Sequence, residues 1–245
     1  MTSDSLRVLN LGCGYTTSAR CINIDWSLPV RLRGSRLGRL VAPLILSGER
    51  RAAYDAMQGE VMSHDLRKGI PFADHSVDAV YHSHVLEHLD RDIVPGFLAE
   101  IHRVLRPGGI HRIVVPDLEA QARAYIASLD AVTQGQRPAS EHEESVHTLI
   151  EQLVRREAYG TSLRTGMRRR MENLLLGDAR KRGETHQWMW DRVSLPHELI
   201  TAGFRDPRIV THIESRIPDW REFRLDETTN GDVYKPGSMY VEAIA

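Results

Sequence analysis

The sequence predicts an α/β protein built on a doubly wound, mostly parallel seven-stranded sheet, with a helical insertion forming a cap. Three observations predict it. Short apolar runs bounded by glycine, proline and acidic residues alternate with segments of helical spacing, as in parallel strands joined by crossover helices. The first run ends in a glycine turn, Gly12-Cys13-Gly14, and the second ends in an acidic residue, Asp25. A long charged stretch separates the fifth run from the last two.

In chain order the expected strands are residues 6–11, 21–24, 61–64, 77–82 and 110–115, then 208–213 and 239–244 after the gap. Residues 93–105 bring Ile93, Phe97, Ile101, Val104 and Leu105 to one helical face, and Pro107-Gly108-Gly109 is the expected stop. Residues 195–202 read as another helix, closed by Gly203-Phe204. Two segments exceed a minimal alternating core. Residues 28–60 lie between the second and third strands and contain a helix expected over 40–57. Residues 118–185 are mostly helical and charged, with a breaker-rich stretch at 134–140. Within them Val146, Leu149, Ile150, Leu153 and Val154 keep helical spacing. The chain, 1–245, reads as one domain with 28–60 inserted and 118–185 as a helical cap. Such insertions leave the carboxyl ends of the strands, where open α/β folds bind ligands.

Composition narrows the function classes. With 41% hydrophobic and 27% charged residues in a chain of 245, a sizeable core is affordable, and disordered or fibrous classes are excluded. The formal net charge of −1 gives no whole-molecule steering toward nucleic acid or anionic lipid. Two cysteines supply no disulfide framework. No apolar run of ~18 residues is long enough to span a bilayer, and the first residues carry no secretory pattern. A cytoplasmic protein is expected, with no nucleic-acid or membrane partner. Its oligomeric state is not encoded in any pattern.

The glycine turn lets the backbone bend sharply and approach a ligand without a β-carbon in the way. Asp25 stands beside it, suited to accept from both hydroxyls of a ribose. A dinucleotide would need a third glycine and an acidic residue ~20 positions on. Here Thr17 takes the third position and Asp25 comes early. Residues 15–20 hold barely one helical turn, so no helix N-terminus is offered to a pyrophosphate. A ribose-bearing ligand without a phosphate fits better.

Denser motifs follow. Asp65-Leu66 precede Gly69-Ile70-Pro71-Phe72-Ala73-Asp74 and Asp78; next come Ser83-His84-Val85-Leu86-Glu87-His88-Leu89, and then Glu100-Ile101-His102-Arg103-Val104-Leu105-Arg106-Pro107-Gly108-Gly109. With these the chain resembles the class I S-adenosylmethionine-dependent methyltransferases, specifically the bacterial group labelled type 11. The likeness is dense over 6–119 and weaker at 186–204 and 235–245. It implies the Rossmann-like methyltransferase fold and S-adenosyl-L-methionine as cofactor. By the same resemblance Gly12, Cys13 and Gly14 would pass under the methionine part. Asp25 would hold the ribose, with Trp26 along the adenosine. Asp65 and Leu66 would meet the adenine, and His82, Ser83 and His84 would flank the sulfonium and methyl group. Cys13 itself reads as a small buried filler.

Methyl transfer to a hydroxyl needs a base, and location decides among twelve histidines. His84, just past the fourth strand, ranks first. His186, in the aromatic stretch Thr185-His186-Gln187-Trp188-Met189-Trp190, ranks second, and Asp117, after the fifth strand, third. His84 and His88 at spacing four also suit a metal pair, but no third ligand is indicated, so no metal is expected. The acceptor is expected to be a small or glycan-type molecule, methylated at oxygen. Arginine clusters at 31, 33, 36 and 39 and at 164, 168, 169, 170, 180 and 182 suit an anionic acceptor or a solvated face equally. A scaffold protein that holds the cofactor without chemistry would carry the same turn and carboxylate.

Overall fold

The computed structural model describes residues 6–46, 48–153 and 186–245. The strands are β1 (Val8–Leu11), β2 (Ile22–Asp25), β3 (Val61–Ser63), β4 (Val77–Ser83), β5 (Leu105–Pro116), β6 (Arg205–Val210) and β7 (Ser238–Ile244). The α-helices are α1 (Leu28–Arg33), α2 (Arg36–Ile45), α3 (Gly48–Ala56), α4 (Val94–Val104), α5 (Leu118–Thr133), α6 (Ala139–Leu153) and α7 (Ser194–Thr201). The sheet order is β3-β2-β1-β4-β5-β7-β6. Its first five strands are parallel, and β7 runs antiparallel to both β5 and β6.

Strand periodicity gives the sheet one apolar cluster on each face, and a third, smaller cluster of Val30, Leu32, Ala42 and Tyr54 lies among α1, α2 and α3. Leu9 and Leu11 face the larger cluster, with Phe97, Leu98 and Ile101 of α4, Leu195 and Leu199 of α7, and Trp190. Val8, Tyr81 and Val114 face the other side, where Trp220, Phe223 and Tyr240 pack. Both faces being covered, the central strands read as apolar runs rather than alternating ones.

Four expectations shift in detail. The α4 helix ends because Leu105 turns extended, and β5 starts there. Pro107-Gly108-Gly109 therefore lies in a strand, at a register break between β4 and β5. A β-carbon on Gly109 would come within 2.9 Å of the Arg106 carbonyl and 3.0 Å of the Asp78 carbonyl, so the bulge needs glycine. Ile93 precedes the helix and is 48% exposed, outside the core face. Residues 28–60 form three helices in place of one, with α2 ending at Leu46. Finally β6 stops at Val210, because the Arg112 guanidinium captures the carbonyls of Thr211, His212 and Glu214 and turns the chain.

The first arginine cluster is partly internal. Arg33 donates to the Tyr54 and Met57 carbonyls, and Arg31 lies 4.8 Å over the Trp26 ring. The second cluster, with Val154 and Thr185, lies outside the described residues. The expected break at 134–140 falls between α5 and α6, which pack on each other.

His82 and His111 meet inside the sheet with their Nε2 atoms 3.0 Å apart, both fully buried beside Phe97 and Phe204. Burial pushes His82 down to about 3 and lowers His111 as well. The unfolded chain protonates these rings below ~6.5, whereas the folded one resists. Their contribution is thus complete above ~6.5 and drains as pH falls below it, by up to ~1.4 kcal/mol per pH unit for each proton the unfolded chain binds in excess of the folded one. The urea midpoint is expected to drop between pH 7 and pH 5, and a His82→Leu/His111→Leu variant to drop less steeply. Equal slopes in both proteins would contradict this.

Candidate functional site

The strand order reverses between β1, which continues to β2 on one side, and β4 on the other. That switch opens a crevice beyond the carboxyl ends of the strands. Gly12 and Gly14 sit there with φ of +62° and +52°. A β-carbon on Gly12 would lie 2.5 Å from Val85 Cγ2, so the turn is pressed against the segment leaving β4. A β-carbon on Gly14 would meet nothing within 4 Å, so that side of the turn is open.

Asp25 ties the turn to β2. Its Oδ2 accepts from the Gly14 N–H at 2.9 Å, and Oδ1 accepts from the Ser27 N–H. Each oxygen keeps a further lone pair for a ligand hydroxyl. No helix intervenes between β1 and β2. The Asn10 amide donates to the Thr16 carbonyl and to Asn23, which in turn donates to the Ser18 carbonyl, and this net replaces a helix. The crevice therefore has an open turn and a carboxylate, with no helix N-terminus after the turn for a phosphate. These residues fit an adenosyl ligand without phosphate. Trp26, 45% exposed, extends the same edge.

Other expected residues are disposed differently. Cys13 is buried and its thiol is raised by desolvation, which suits a filler and not a nucleophile. The Asp65 carboxylate does not stand free for an adenine amino group. Arg67 grips both of its oxygens at 2.8 and 2.9 Å and holds its carboxyl below the ordinary range. Leu66 packs against the larger core cluster. The His82 side chain does not flank the crevice, because strand alternation turns it into the core; only its backbone, paired with Leu11, borders the turn. Ser83 ends β4 and is half-buried. Asp117 caps α5, accepting from the Ala120 N–H at 3.1 Å.

His84 and His186 converge on one carboxylate. His84 takes φ +54° and leaves β4 in a bend, so it shares no α-helical face with His88; only a 3-10 turn, Leu86–His88, follows. Its Nδ1 lies 3.3 Å from Glu87 Oε1, and its Nε2 lies 2.9 Å from the Ser238 hydroxyl. Glu87 is fully buried. His186 packs edge-on against His88 with ring centroids 4.9 Å apart. The Gln187 N–H donates to the Glu87 carbonyl at 2.7 Å and anchors this segment to the turn. Trp190 belongs to the core and Trp188 to the surface, with Arg91 over both rings.

Sequence reasoning missed two neighbours, Ser238 and Lys235. Burial lowers the Lys235 amine, opposed by the Glu87 and Asp226 carboxylates. The one signal was their place in Lys235-Pro236-Gly237-Ser238, among a chain's mere three lysines.

Comparison with known proteins bears on this geometry. Residues 35–113 match the family described as a methyltransferase domain. That stretch begins beyond the glycine turn and Asp25 and includes Asp65, His84, Glu87 and His88. Among solved structures, the chain is similar to a SAM-dependent methyltransferase from Archaeoglobus fulgidus, at 16% identity over 99% of this chain and 87% of that one, TM-score 0.43. It is also similar to an S-adenosylmethionine-dependent methyltransferase from Mesorhizobium loti (15%, 98% and 91%, TM-score 0.43). A third, the 1,6-didemethyltoxoflavin-N1-methyltransferase of Burkholderia thailandensis, gives 13%, 97% and 69%, with a TM-score of 0.42. The comparison with curated proteins finds no match. The methyltransferase-domain match covers about a third of the chain, from α2 to β5, and lies within the seven-stranded sheet of order β3-β2-β1-β4-β5-β7-β6. Among the described residues no helix is long and apolar enough to cross a membrane.

Proposed function

We propose that this methyltransferase transfers a methyl group to a hydroxyl of a small or glycan-type acceptor, with His84 as the base. The observation that carries this reading is His84 itself, held at the β4 tip between a buried carboxylate and a serine hydroxyl. The cofactor supplies an electrophilic methyl group on a sulfonium. Gly12, Cys13 and Gly14 would bind its amino-acid end through backbone, Asp25 would accept from the ribose, and Trp26 would lie along the adenosine. Leu66 and the backbone of His82 and Ser83 complete the lining.

A neutral His84 carrying its proton on Nδ1, toward Glu87, keeps a lone pair on Nε2. An acceptor hydroxyl in place of Ser238 gives its proton to that atom as its oxygen attacks the methyl carbon. The cofactor's carbon–sulfur bond would break as the carbon–oxygen bond forms, with its electron pair staying on sulfur. Orientation supplies most of the rate, and proton removal adds ~100- to 10,000-fold. His186 and Asp117 are the second and third candidates. Asp117 is disfavoured because its carboxylate caps α5.

On this reading 1–245 is one catalytic domain with 28–60 inserted and 118–185 as a cap. In support, α5 leaves β5 directly at the crevice edge. A net charge of −1 supports an enzyme without a nucleic-acid partner, and two free cysteines support a reducing, cytoplasmic compartment. The test is a labelled-methyl transfer screen over sugar nucleotides, glycans and phenols, repeated with His84→Ala. Turnover on one class, falling by ~100-fold or more in the variant while S-adenosylhomocysteine affinity holds, is expected. A variant with undiminished turnover would remove His84 as base.

A further inference from the structure

The metal pair suggested by sequence spacing, His84 with His88, is not what the fold assembles; His88 groups with Glu87 and His186 instead. Glu87, His88 and His186 each offer one donor atom, and these atoms all lie within 4.8 Å of one another. Two come from the 3-10 turn after β4 and the third from a segment almost 100 residues later. The two pieces are joined by the hydrogen bonds from the Gln187 and Trp188 amides to the Glu87 carbonyl. The donors are not a surface accident: Glu87 and His186 are both buried. We propose that Glu87, His88 and His186 bind one divalent transition-metal ion beside His84.

The donor set says which ion. Two imidazoles and one carboxylate suit zinc, cobalt, manganese or iron, whereas magnesium prefers oxygen ligands and retained water. Metal–ligand bonds of ~2.1 Å leave donors roughly 3–3.5 Å apart, so small side-chain rotations close the present triangle. Three protein ligands leave at least one coordination position for an exogenous oxygen. The ion's use, though not its binding, rests on the proposed hydroxyl acceptor: it would draw the acceptor oxygen next to His84. The rival for the charge of Glu87 is the Lys235 ammonium, which that carboxylate favours electrostatically.

The test uses tag-free full-length protein, stripped with chelator and titrated with Co(II), whose visible absorption reports coordination by nitrogen and oxygen. One equivalent per chain is expected, with Zn(II) displacing it. His186→Ala and Glu87→Gln should each weaken binding by more than ~10-fold. His186→Ala is the safer variant if Glu87→Gln fails to fold. No stoichiometric Co(II) spectrum, or one left unchanged in the His186→Ala protein, overturns the proposal. S-adenosylhomocysteine affinity, measured on the same samples, separates the two claims. Cofactor bound without metal ends this inference alone; metal bound without cofactor ends the methyltransferase reading alone.

Discussion

Replacing Arg112 by alanine is expected to remove ~3–5 kcal/mol of folding stability. The guanidinium is fully buried and pairs with Asp226 at 2.8 Å and Glu242 at 2.7 Å, both buried. It also donates to three carbonyls and lies between the Trp220 and Tyr240 rings, at 4.9 and 5.6 Å. The Tyr81 hydroxyl and Trp220 indole donate to Asp226 as well. Removing the cation leaves two carboxylates buried without it, and burying an unpaired charge is what makes such a deletion expensive. Lysine is expected to recover little, since one ammonium cannot satisfy this fork of acceptors.

The consequence reaches the site. The Asp226 backbone carbonyl accepts from the Tyr234 N–H, and the Tyr234 hydroxyl receives a hydrogen bond from Thr16, so fixing Asp226 also ties down the start of the segment that carries Lys235 and Ser238. Urea unfolding monitored by circular dichroism measures the change. A loss under ~1 kcal/mol would show that the network is not under the strain of desolvation assigned to it.

Asp25→Ala is expected to weaken S-adenosylhomocysteine binding by ~1.5–3 kcal/mol, about tenfold to 150-fold, as charge-assisted hydrogen bonds to a ribose would require. Part of that loss is indirect. The carboxylate also holds the Gly14 and Ser27 amides, so its removal loosens the turn that the ligand contacts. Asparagine is no remedy, because its NH2 group would face one of those two N–H donors. Isothermal titration with a folded-state check by circular dichroism gives the answer, and unchanged affinity would take Asp25 out of the site.

How far the sequence carried the account depends on how local each signal is. The glycine turn and Asp25 were legible because strand ends and turn chemistry are written in adjacent residues. The sheet was legible for the same reason, its central strands being apolar on both faces. His82 was misjudged because the direction of a side chain at a strand end depends on register, which a bare motif does not state. Asp65 lost its expected freedom to Arg67 two residues away, a pairing that composition permits but does not require. The spacing of His84 and His88 suggested a helical face, yet the left-handed backbone at His84 breaks it. The meeting of Glu87 with His186 joins segments separated by almost 100 residues, and no periodicity connects them.

The central claim is that the open turn and Asp25 receive an adenosine without phosphate. Calorimetric titration of the wild-type protein with S-adenosylhomocysteine and, separately, with NAD tests it most directly. Saturable binding of S-adenosylhomocysteine, with a melting temperature that rises by mass action, and no response to NAD is the predicted result. Binding of NAD in preference to S-adenosylhomocysteine would contradict it.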